Sequence, residues 1–483
     1  FLLSDSNTEA DMLFSIDQPS GRKRSKDVTR ISAMLLVALQ LGGCDLNDML
    51  TVPDPEVVGP GIFEGEEGLP VLLATATGDF QLAFGGSGLY EGYVAFTGLF
   101  SDELHYTSSY PTRIEVDRRE IQTTNVTMED LHRQLHRART SAERAVAGFA
   151  ELDPGSAGHA QAINLVGFTY LLFAENYCSG VPFSRLAAGG SAEYGTPQTT
   201  IQMFETAATT FKDAVAAATT AGDADQLALA RVGLGRALLN LGRYSEAAAA
   251  VAAVPTSFVY NVEHSENSDR QNNGMFHFQW VEGRWSVADR EGTNGLPYRS
   301  DNDPRVPFER GSVEAGSDSV GFDESPLWVQ LKYNSRSSPT VLASGVEARL
   351  IEAEAALHPE NATAFLDKLN SLRGSPPAYY DAQTYPRIGT LAPLTLPATT
   401  AGRVDLLFKE RAYWMYSTAH RLGDLRRLVR VYGRPEQQVF PVGEWGIWDA
   451  PDKEGEYGSD VNFPIPRDET NNPNFEKCLT REA

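Results

Sequence analysis

The chain has 483 residues, of which 42% are hydrophobic and 22% are charged, a composition typical of an ordinary globular protein. Its formal net charge of −23 argues against a nucleic-acid-binding protein, which needs a basic face to displace counterions from phosphates. The same charge argues against adhesion to anionic lipid by electrostatics alone. The length allows two or three average domains or one large helical domain.

The first fifty residues carry the pattern of an export signal. Residues 22–30 are rich in Lys and Arg, residues 31–41 are apolar, and this run ends on Gly42-Gly43-Cys44. A basic region, an apolar region of about 10 residues and a cleavage point at small residues are typical of a secretory signal. The apolar run is shorter than the roughly 20 residues that cross a bilayer. The alternative interpretation is a short buried helix.

The end of this run resembles the bacterial lipobox, in which the cysteine is lipidated and becomes the first residue of the mature protein. We therefore expect residues 1–43 to be an upstream extension followed by a lipoprotein signal peptide, and Cys44 to carry the lipid. Residues 44–58 are polar and marked by prolines, so they suit a tether between membrane and body. Residues 59–483 remain as the folded domain.

The chain contains three cysteines, Cys44, Cys178 and Cys478. No C-x-x-C pair occurs among them, so the usual spacing signals for zinc, iron–sulfur or haem binding are absent. If Cys44 is lipidated, Cys178 and Cys478 are left as a possible disulfide pair in an oxidising compartment. Two unpaired buried thiols are the alternative.

Apolar residues at three- and four-residue spacings predict a mainly helical fold. The predicted helices are residues 128–150, 158–177, 199–219, 344–357, 361–373, 402–418 and 420–432. Between them, residues 225–254 match the pattern of a tetratricopeptide unit, two antiparallel helices in which small residues allow close approach. The matching residues are Gly235, Leu238, Gly242, Tyr244, Ala247 and Val251.

Residues 256–340 are rich in Gly, Asn, Asp, Ser and aromatic side chains and show little periodicity. A loop region of this length inside one domain is uncommon unless it has a function. Aromatic rings in loops stack on ligands such as sugars, while nearby polar groups orient them, although large rings also pin long loops in place. Two groups are candidates for ligand binding: Tyr90, Tyr93, Tyr106 and Tyr110 with Arg113, and Trp280, Trp285 and Tyr298 with Arg284 and Asn294.

The sequence offers weaker signals for metal binding or catalysis. His132 and His136 lie four residues apart, on one face of a predicted helix, but no third zinc ligand suggests itself, so we expect two exposed histidines and no metal. Asp301 and Asp303 precede Pro304, which departs from a calcium-binding loop, and we expect them to form a turn.

Several segments, in this order, resemble the SusD/RagB family of outer-membrane nutrient-binding lipoproteins. They are Ser-Asp-Glu at 101–103, the helix exit at 175–183, the Arg/Glu-rich helix at 347–355, Glu410-Arg411 with His-Arg-Leu-Gly-Asp-Leu-Arg at 420–426, Phe-Pro-Ile-Pro at 463–466, and Asn-Pro-Asn at 472–474. The resemblance covers nearly all of residues 44–483.

This resemblance implies a helical scaffold of tetratricopeptide-like pairs with a large loop-rich ligand-binding region. It also implies capture of an oligosaccharide or peptide, no catalysis, no cofactor, and a SusC-like TonB-dependent outer-membrane transporter as the partner on which the protein acts as a lid. Residues Glu410, Arg411, Asp424 and Arg426 are structural ion-pair residues in the family. Consecutive residues on a helix point in different directions, so we expect Glu410 and Arg411 to contact different partners. The alternatives are a lipid-anchored glycan hydrolase and a tetratricopeptide adaptor without a ligand.

Overall fold

A computed structural model describes residues 65–187, 191–311, 319–378, 388–446 and 453–483. All of them fall within the unit Gly61–Ala483. The predicted signal peptide, Cys44 and the tether lie outside the described residues.

Helices make up the first part of the described chain. In chain order they are α1 (Leu69–Gly85) and α2 (Gly92–Phe100), then strand β1 (Leu104–Tyr106), and helices α3 (Pro111–Asp117), α4 (Val126–Leu152) and α5 (Ala157–Asn176). Helix α4 begins where the Asn125 side chain accepts hydrogen bonds from the backbone N–H groups of Thr127 and Met128, as an N-cap does. Its predicted apolar stripe is buried, so α4 packs with that face toward the core.

Short strands and a long helix follow α5. The strands are β2 (Val181–Pro182), β3 (Arg185–Leu186), β4 (Ala192–Glu193) and β5 (Pro197–Gln198). They form two antiparallel pairs, β2 with β5 and β3 with β4. Helix α6 (Thr200–Ala221) then starts at a capping box of Thr199 and Gln202 and ends at Gly222, which has a φ of 68°. A positive φ at this position is the usual glycine stop.

The predicted tetratricopeptide-like pair is confirmed as α7 (Ala224–Asn240) and α8 (Tyr244–Val251). Gly235 is needed for close packing, because a Cβ there would lie 2.4 Å from Cγ1 of Val251. Gly242 makes the turn with a φ of 71°, and the Tyr244 ring stacks on His358 at 3.7 Å between centroids. The small residues of the motif therefore do what the sequence pattern predicts.

The loop-rich region contains short strands that pair over long distances. It carries β6 (Val259–Val262), the short helix α9 (Gly274–Phe276), β7 (Trp285–Val287), β8 (Phe308–Arg310), β9 (Trp328–Gln330) and β10 (Thr340–Ser344). All the pairs are antiparallel: β1 with β7, β6 with β10, and β8 with β9. Strands this short give little periodic signal, which is why the sequence shows only a loop region here.

The last part of the scaffold is again helical. It consists of α10 (Gly345–Ala355), α11 (Ala362–Gly374), α12 (Thr400–Trp414), α13 (Arg421–Arg430) and the short α14 (Glu436–Val439). Helix α12 ends earlier than predicted, because Ser417 and Ala419 have φ values of 53° and 60°, which interrupt a right-handed helix. No helix in the described ranges is both long and apolar enough to cross a membrane.

A disulfide fastens the C-terminal segment to the end of α5. Cys178 and Cys478 are joined, with their Cα atoms 6.0 Å apart and a sequence separation of 300. Beside them, the backbone N–H of Cys178 donates to the carbonyl of Phe463, and the N–H of Phe463 donates to the carbonyl of Asn176. The segment around Phe463 is thereby held against the scaffold.

Buried ion pairs connect α12 and α13 to the rest of the core. Arg411 donates two hydrogen bonds of 2.8 Å to the carboxylate of Asp424. Arg427 donates to both carboxylate oxygens of Glu354 on α10, at 2.9 and 3.0 Å, and to Asp424 at 2.9 Å. Burial alone would raise the pKa of Asp424, but the two guanidinium groups hold it well below its usual value.

Glu410 faces a different set of partners from Arg411. Its carboxylate accepts hydrogen bonds from Arg305 and from Arg373, each at 2.7 Å, and from the indole N–H of Trp414 at 3.2 Å. Consecutive helix positions therefore serve separate partners, as the helical spacing predicts.

The expectation of an ion pair for Arg426 is wrong. Within the described residues its guanidinium forms no salt bridge and instead donates to the carbonyl of Ala174 at 2.9 Å. Burial lowers its pKa to about 9. One helix position further on, Arg427 takes the carboxylate partners, because its direction on α13 points toward α10.

We predict that Asp424→Asn destabilises the protein by about 3–5 kcal/mol, because it leaves the buried guanidinium of Arg411 without its carboxylate and removes one of the two carboxylate partners of Arg427. Denaturant unfolding measures this loss. The control is Glu205→Gln, which removes the exposed partner of Arg243 and should cost less than about 1 kcal/mol. Equal losses in the two variants would contradict the structural role of Asp424.

A buried histidine gives a pH-dependent prediction. The imidazole of His264 lies 3.1 Å from Gln81 Nε2 and 2.9 Å from Thr340 Oγ1, and burial lowers its pKa to about 4. The unfolded chain therefore binds a proton near pH 6.5 while the folded chain resists it, so stability falls as pH drops from about 6.5 to 4. In His264→Gln this component, up to about 3 kcal/mol, should vanish from unfolding curves measured across that pH range.

Candidate ligand-binding surface

Two exposed aromatic rings face one guanidinium group at the surface beside β1. Tyr110 is 48% exposed and Phe322 is 65% exposed. The guanidinium carbon of Arg284 lies 4.6 Å from the centroid of the Tyr110 ring and 5.0 Å from that of Phe322, so cation–π attraction links the three side chains. We call Tyr110, Arg284 and Phe322 the aromatic platform.

Strand pairing brings the platform together from distant parts of the chain. Just beyond the β1–β7 pair, the backbone N–H of Thr107 donates to the carbonyl of Arg284 at 2.9 Å. The loop that carries Phe322 packs against Thr107, since the N–H of Asp323 donates to the carbonyl of Thr107 at 3.3 Å. Gly321 permits this contact, because a Cβ there would lie 2.3 Å from the Cβ of Thr107.

Polar groups lie directly beside the platform. Arg284 forms an ion pair with Glu282 and donates to the hydroxyl of Ser108 at 3.3 Å. Glu282 also lies 3.3 Å from His277 Nε2. The hydrogen bond with His277 and the charge of Arg284 lower the pKa of Glu282 against the effect of its partial burial. Glu282 therefore remains an ionised hydrogen-bond acceptor at neutral pH.

A second polar contact extends the surface toward the turn before α2. The guanidinium carbon of Arg113 lies 5.4 Å from the Tyr110 ring centroid, and its Nε donates to Glu91 at 2.7 Å. Next to Glu91 in sequence, Tyr90 and Leu89 are both exposed. Of the predicted residues, Tyr110 and Arg113 are thus in contact, and the exposed Tyr90 precedes Glu91, the ion-pair partner of Arg113.

Four of the predicted aromatic candidates are buried in the core, so the expectation that they contact a ligand is wrong. Trp285 packs edge-on against Tyr106 with 5.7 Å between ring centroids, and both are about 1% exposed. Tyr298 is fully buried. Tyr93 is also fully buried and donates a 2.7 Å hydrogen bond to the hydroxyl of Tyr177. None of these four offers a ring face to a ligand in solution.

Trp280 and Asn294 serve the loops that carry them. The half-buried Trp280 donates from its indole N–H to the carbonyl of Gln330 at 3.1 Å and stacks on Phe276. Asn294 donates from its amide to the carbonyl of Phe440 at 2.8 Å. Both side chains therefore pin loop segments. Phe322 is not among the predicted residues; its signal in the sequence is an isolated ring between glycine and aspartate in a polar loop.

The carboxylates before Pro304 are occupied by protein groups. Asp301 accepts hydrogen bonds from Lys409 and from the hydroxyl of Tyr413 at 2.8 and 2.7 Å. Asp303 pairs with Arg305. The turn predicted for these residues fits this arrangement.

A separate cavity of about 500 Å³ lies between α4 and residues 466–472. It is lined in part by His132, His136 and Glu469. The expectation of exposed histidines is wrong for His132, which is 4% exposed; burial lowers its pKa to about 3. The C-terminal segment covers this face of α4, and helical spacing on α4 alone does not reveal that cover.

Solved structures with a similar fold are SusD-like proteins. A SusD-like protein from Bacteroides fragilis has a TM-score of 0.62 at 13% identity, with 88% of this chain and 99% of that chain covered. A SusD-like carbohydrate-binding protein from Bacteroides vulgatus has a TM-score of 0.60 at 14% identity, over 85% and 98%. A laminarin-binding SusD-like protein has a TM-score of 0.60 at 13% identity, over 86% and 99%.

No protein-family model and no curated protein matches the chain. Identities of 12–14% with the similar structures mean that the likeness lies in the arrangement of the helices and loops.

Proposed function

Because the chain has the fold of the SusD-like proteins, we propose that it is a glycan-binding protein of a nutrient-uptake system and that the glycan binds at the aromatic platform. The observation that carries this proposal is the exposure of Tyr110 and Phe322 on either side of the anchored guanidinium of Arg284. Large rings that remain exposed while their neighbours are buried are typical of ligand surfaces.

The chemistry of the platform suits a sugar chain. Sugar rings have apolar C–H faces that stack on aromatic rings, and hydroxyl groups that need both donors and acceptors. Arg284 supplies donors, and the ionised carboxylate of Glu282 supplies acceptors. Two similar structures are described as carbohydrate-binding and laminarin-binding, which supports a glycan over a peptide.

The carboxylates near the platform favour binding over cleavage. A glycoside hydrolase needs one carboxyl group with a raised pKa as its general acid. Glu282 has a lowered pKa, and Glu91 is engaged by Arg113. Neither group is placed as the protonated acid of a hydrolase, so the proposed protein captures its ligand without transforming it.

We further propose that the protein is anchored in the outer membrane through Cys44, faces the cell surface, and acts as the lid of a SusC-like TonB-dependent transporter. The lipobox pattern supports the anchor, and the disulfide of Cys178 with Cys478 supports folding in an oxidising compartment. The SusD-like fold supports the transporter as partner.

We predict that Tyr110→Ala and Phe322→Ala each weaken glycan binding at least about tenfold, or 1.4 kcal/mol, because each removes a stacking surface. Titration calorimetry against soluble glycans, with laminarin as the first probe and peptides as a second panel, measures the change. Selective binding of peptides would overturn the assignment to glycans.

The matched control is Tyr194→Ala, since Tyr194 is also half exposed but lies outside the platform. It should leave affinity unchanged. Unaltered binding in all three variants would place the ligand elsewhere, and absence of any ligand would favour the adaptor alternative. Release of reducing ends from the same glycans would instead favour the hydrolase.

The lid proposal predicts co-purification. Affinity isolation of the full chain from outer membranes should recover a large TonB-dependent transporter, and Cys44→Ala should release the protein from the membrane fraction. Recovery of the membrane-bound chain without a transporter would count against the lid role while leaving glycan binding to stand on its own measurement.

A further inference from the structure

The cavity between α4 and the C-terminal segment brings together three potential metal ligands. His132 and His136 lie one helical turn apart on α4, and Glu469 comes from the short helix Arg467–Asn471. One donor atom from each of these residues lies within 4.8 Å of the other two. Residues 333 positions apart in sequence thus meet at one point, which the spacing of the two histidines alone does not predict.

Both imidazoles are held by aromatic neighbours and lack polar partners on one side. The His136 ring lies 4.4 Å from that of Phe173, and the His132 ring lies 5.1 Å from that of Tyr177, between centroids. The Nε2 atoms of both histidines are buried and have no hydrogen-bond partner within the described residues. An unpaired buried nitrogen costs free energy, and the other ring nitrogen of His132, Nδ1, lies 3.9 Å from a carboxylate oxygen of Glu469.

We propose that His132, His136 and Glu469 bind a transition-metal ion of the zinc type, with a further coordination position open to the cavity. Two imidazoles and a carboxylate are a common ligand set for zinc. Tetrahedral zinc with bonds of about 2.0–2.1 Å separates its ligands by roughly 3.4 Å. The pair His132 Nδ1 and Glu469 Oε1 is 3.9 Å apart, close to this separation, and the side chain of Glu469 is 23% exposed.

The charges around the cavity allow a cation to enter. Arg133 forms ion pairs with neighbouring acids on α4, Arg137 pairs with Asp79, and Arg139 pairs with Glu143. The arginines that line the cavity therefore have carboxylate partners of their own. The carboxylate of Glu469 then supplies negative charge that partly balances the positive charge of the metal ion.

Another buried cluster, His105 with Asp117 and Glu291, does not make the same case. The ammonium group of Lys453 lies 3.4 Å from His105 Nε2 and supplies a positive charge beside the two carboxylates. The cluster of His105, Asp117 and Glu291 therefore serves as the comparison cluster for the test.

The ion would join α4 to the C-terminal segment, which is also fastened by the disulfide. Binding to the folded state alone stabilises that state by mass action. We therefore expect zinc to raise the thermal unfolding temperature of the chelator-treated protein.

The test is titration of the chelator-treated full chain with zinc chloride alone, followed by calorimetry, and with cobalt chloride, followed by visible absorption. We expect one ion per chain and cobalt bands of a nitrogen–oxygen site. His136→Ala and Glu469→Gln should each weaken binding by more than about tenfold, since even residues that only orient metal ligands cost 10–100-fold. Glu469→Gln should keep the unfolding temperature of the metal-free protein close to that of the wild type, whereas His136→Ala should lower it, because the variant also loses the packing of the imidazole against Phe173.

The matched control is His159→Gln, a change on α5 outside the cluster, which should bind zinc as the wild type does. Failure of the wild type to bind zinc more tightly than a variant lacking both His132 and His136 would overturn the proposal. Binding that is unchanged in Glu469→Gln, or that is lost only in His105→Gln, would overturn it as well. Glycan affinity is measured separately, so the two proposals can fail independently.

Discussion

The guanidinium groups of Arg411 and Arg427 stay charged in the core because the carboxylates of Asp424 and Glu354 lie against them. Asp424 lies between Arg411 and Arg427, and Glu354 on α10 completes the contact with Arg427. Removing one member of such a group leaves an uncompensated buried charge. The positions of α10, α12 and α13 are therefore mutually dependent, and the tetratricopeptide-like pairs pack against a framework set by charge as well as by apolar contact.

The aromatic platform depends on the same framework through the turn that follows α2. Arg421 holds Asp102 by two hydrogen bonds of 2.6 and 2.8 Å, and Asp102 in turn accepts from the N–H of Leu296 at 3.0 Å. The carbonyl of Glu103 accepts from the N–H of Ala288 at 3.1 Å. These contacts fasten β1 to the segment around β7, and that pairing brings the aromatic platform together. The buried ion pair of Arg421 and Asp102 is thus connected through these hydrogen bonds to the exposed aromatic platform.

The sequence predicts the long helices from α4 onward, with boundaries that shift by a few residues, because their apolar spacing is a local property; α1, α2 and α3 are not among the predicted helices. The choice between exposed and buried rings is not local: Trp285 is buried by its pairing with β1, whereas Phe322 is exposed by a loop that shows no periodicity. The one-residue difference between Arg426 and Arg427 depends on where α10 lies. Glu469 meets its histidines only after the C-terminal segment has folded back, so no spacing along the chain could have pointed to it.

The disulfide divides the chain, in covalent terms, into a closed ring and a leading arm. The ring runs from Cys178 to Cys478 and contains Arg284 and Phe322, whereas Tyr110 belongs to the arm that precedes it. The platform is therefore assembled from residues inside and outside the covalent ring. A glycan that contacts all three residues would bridge these two parts of the chain.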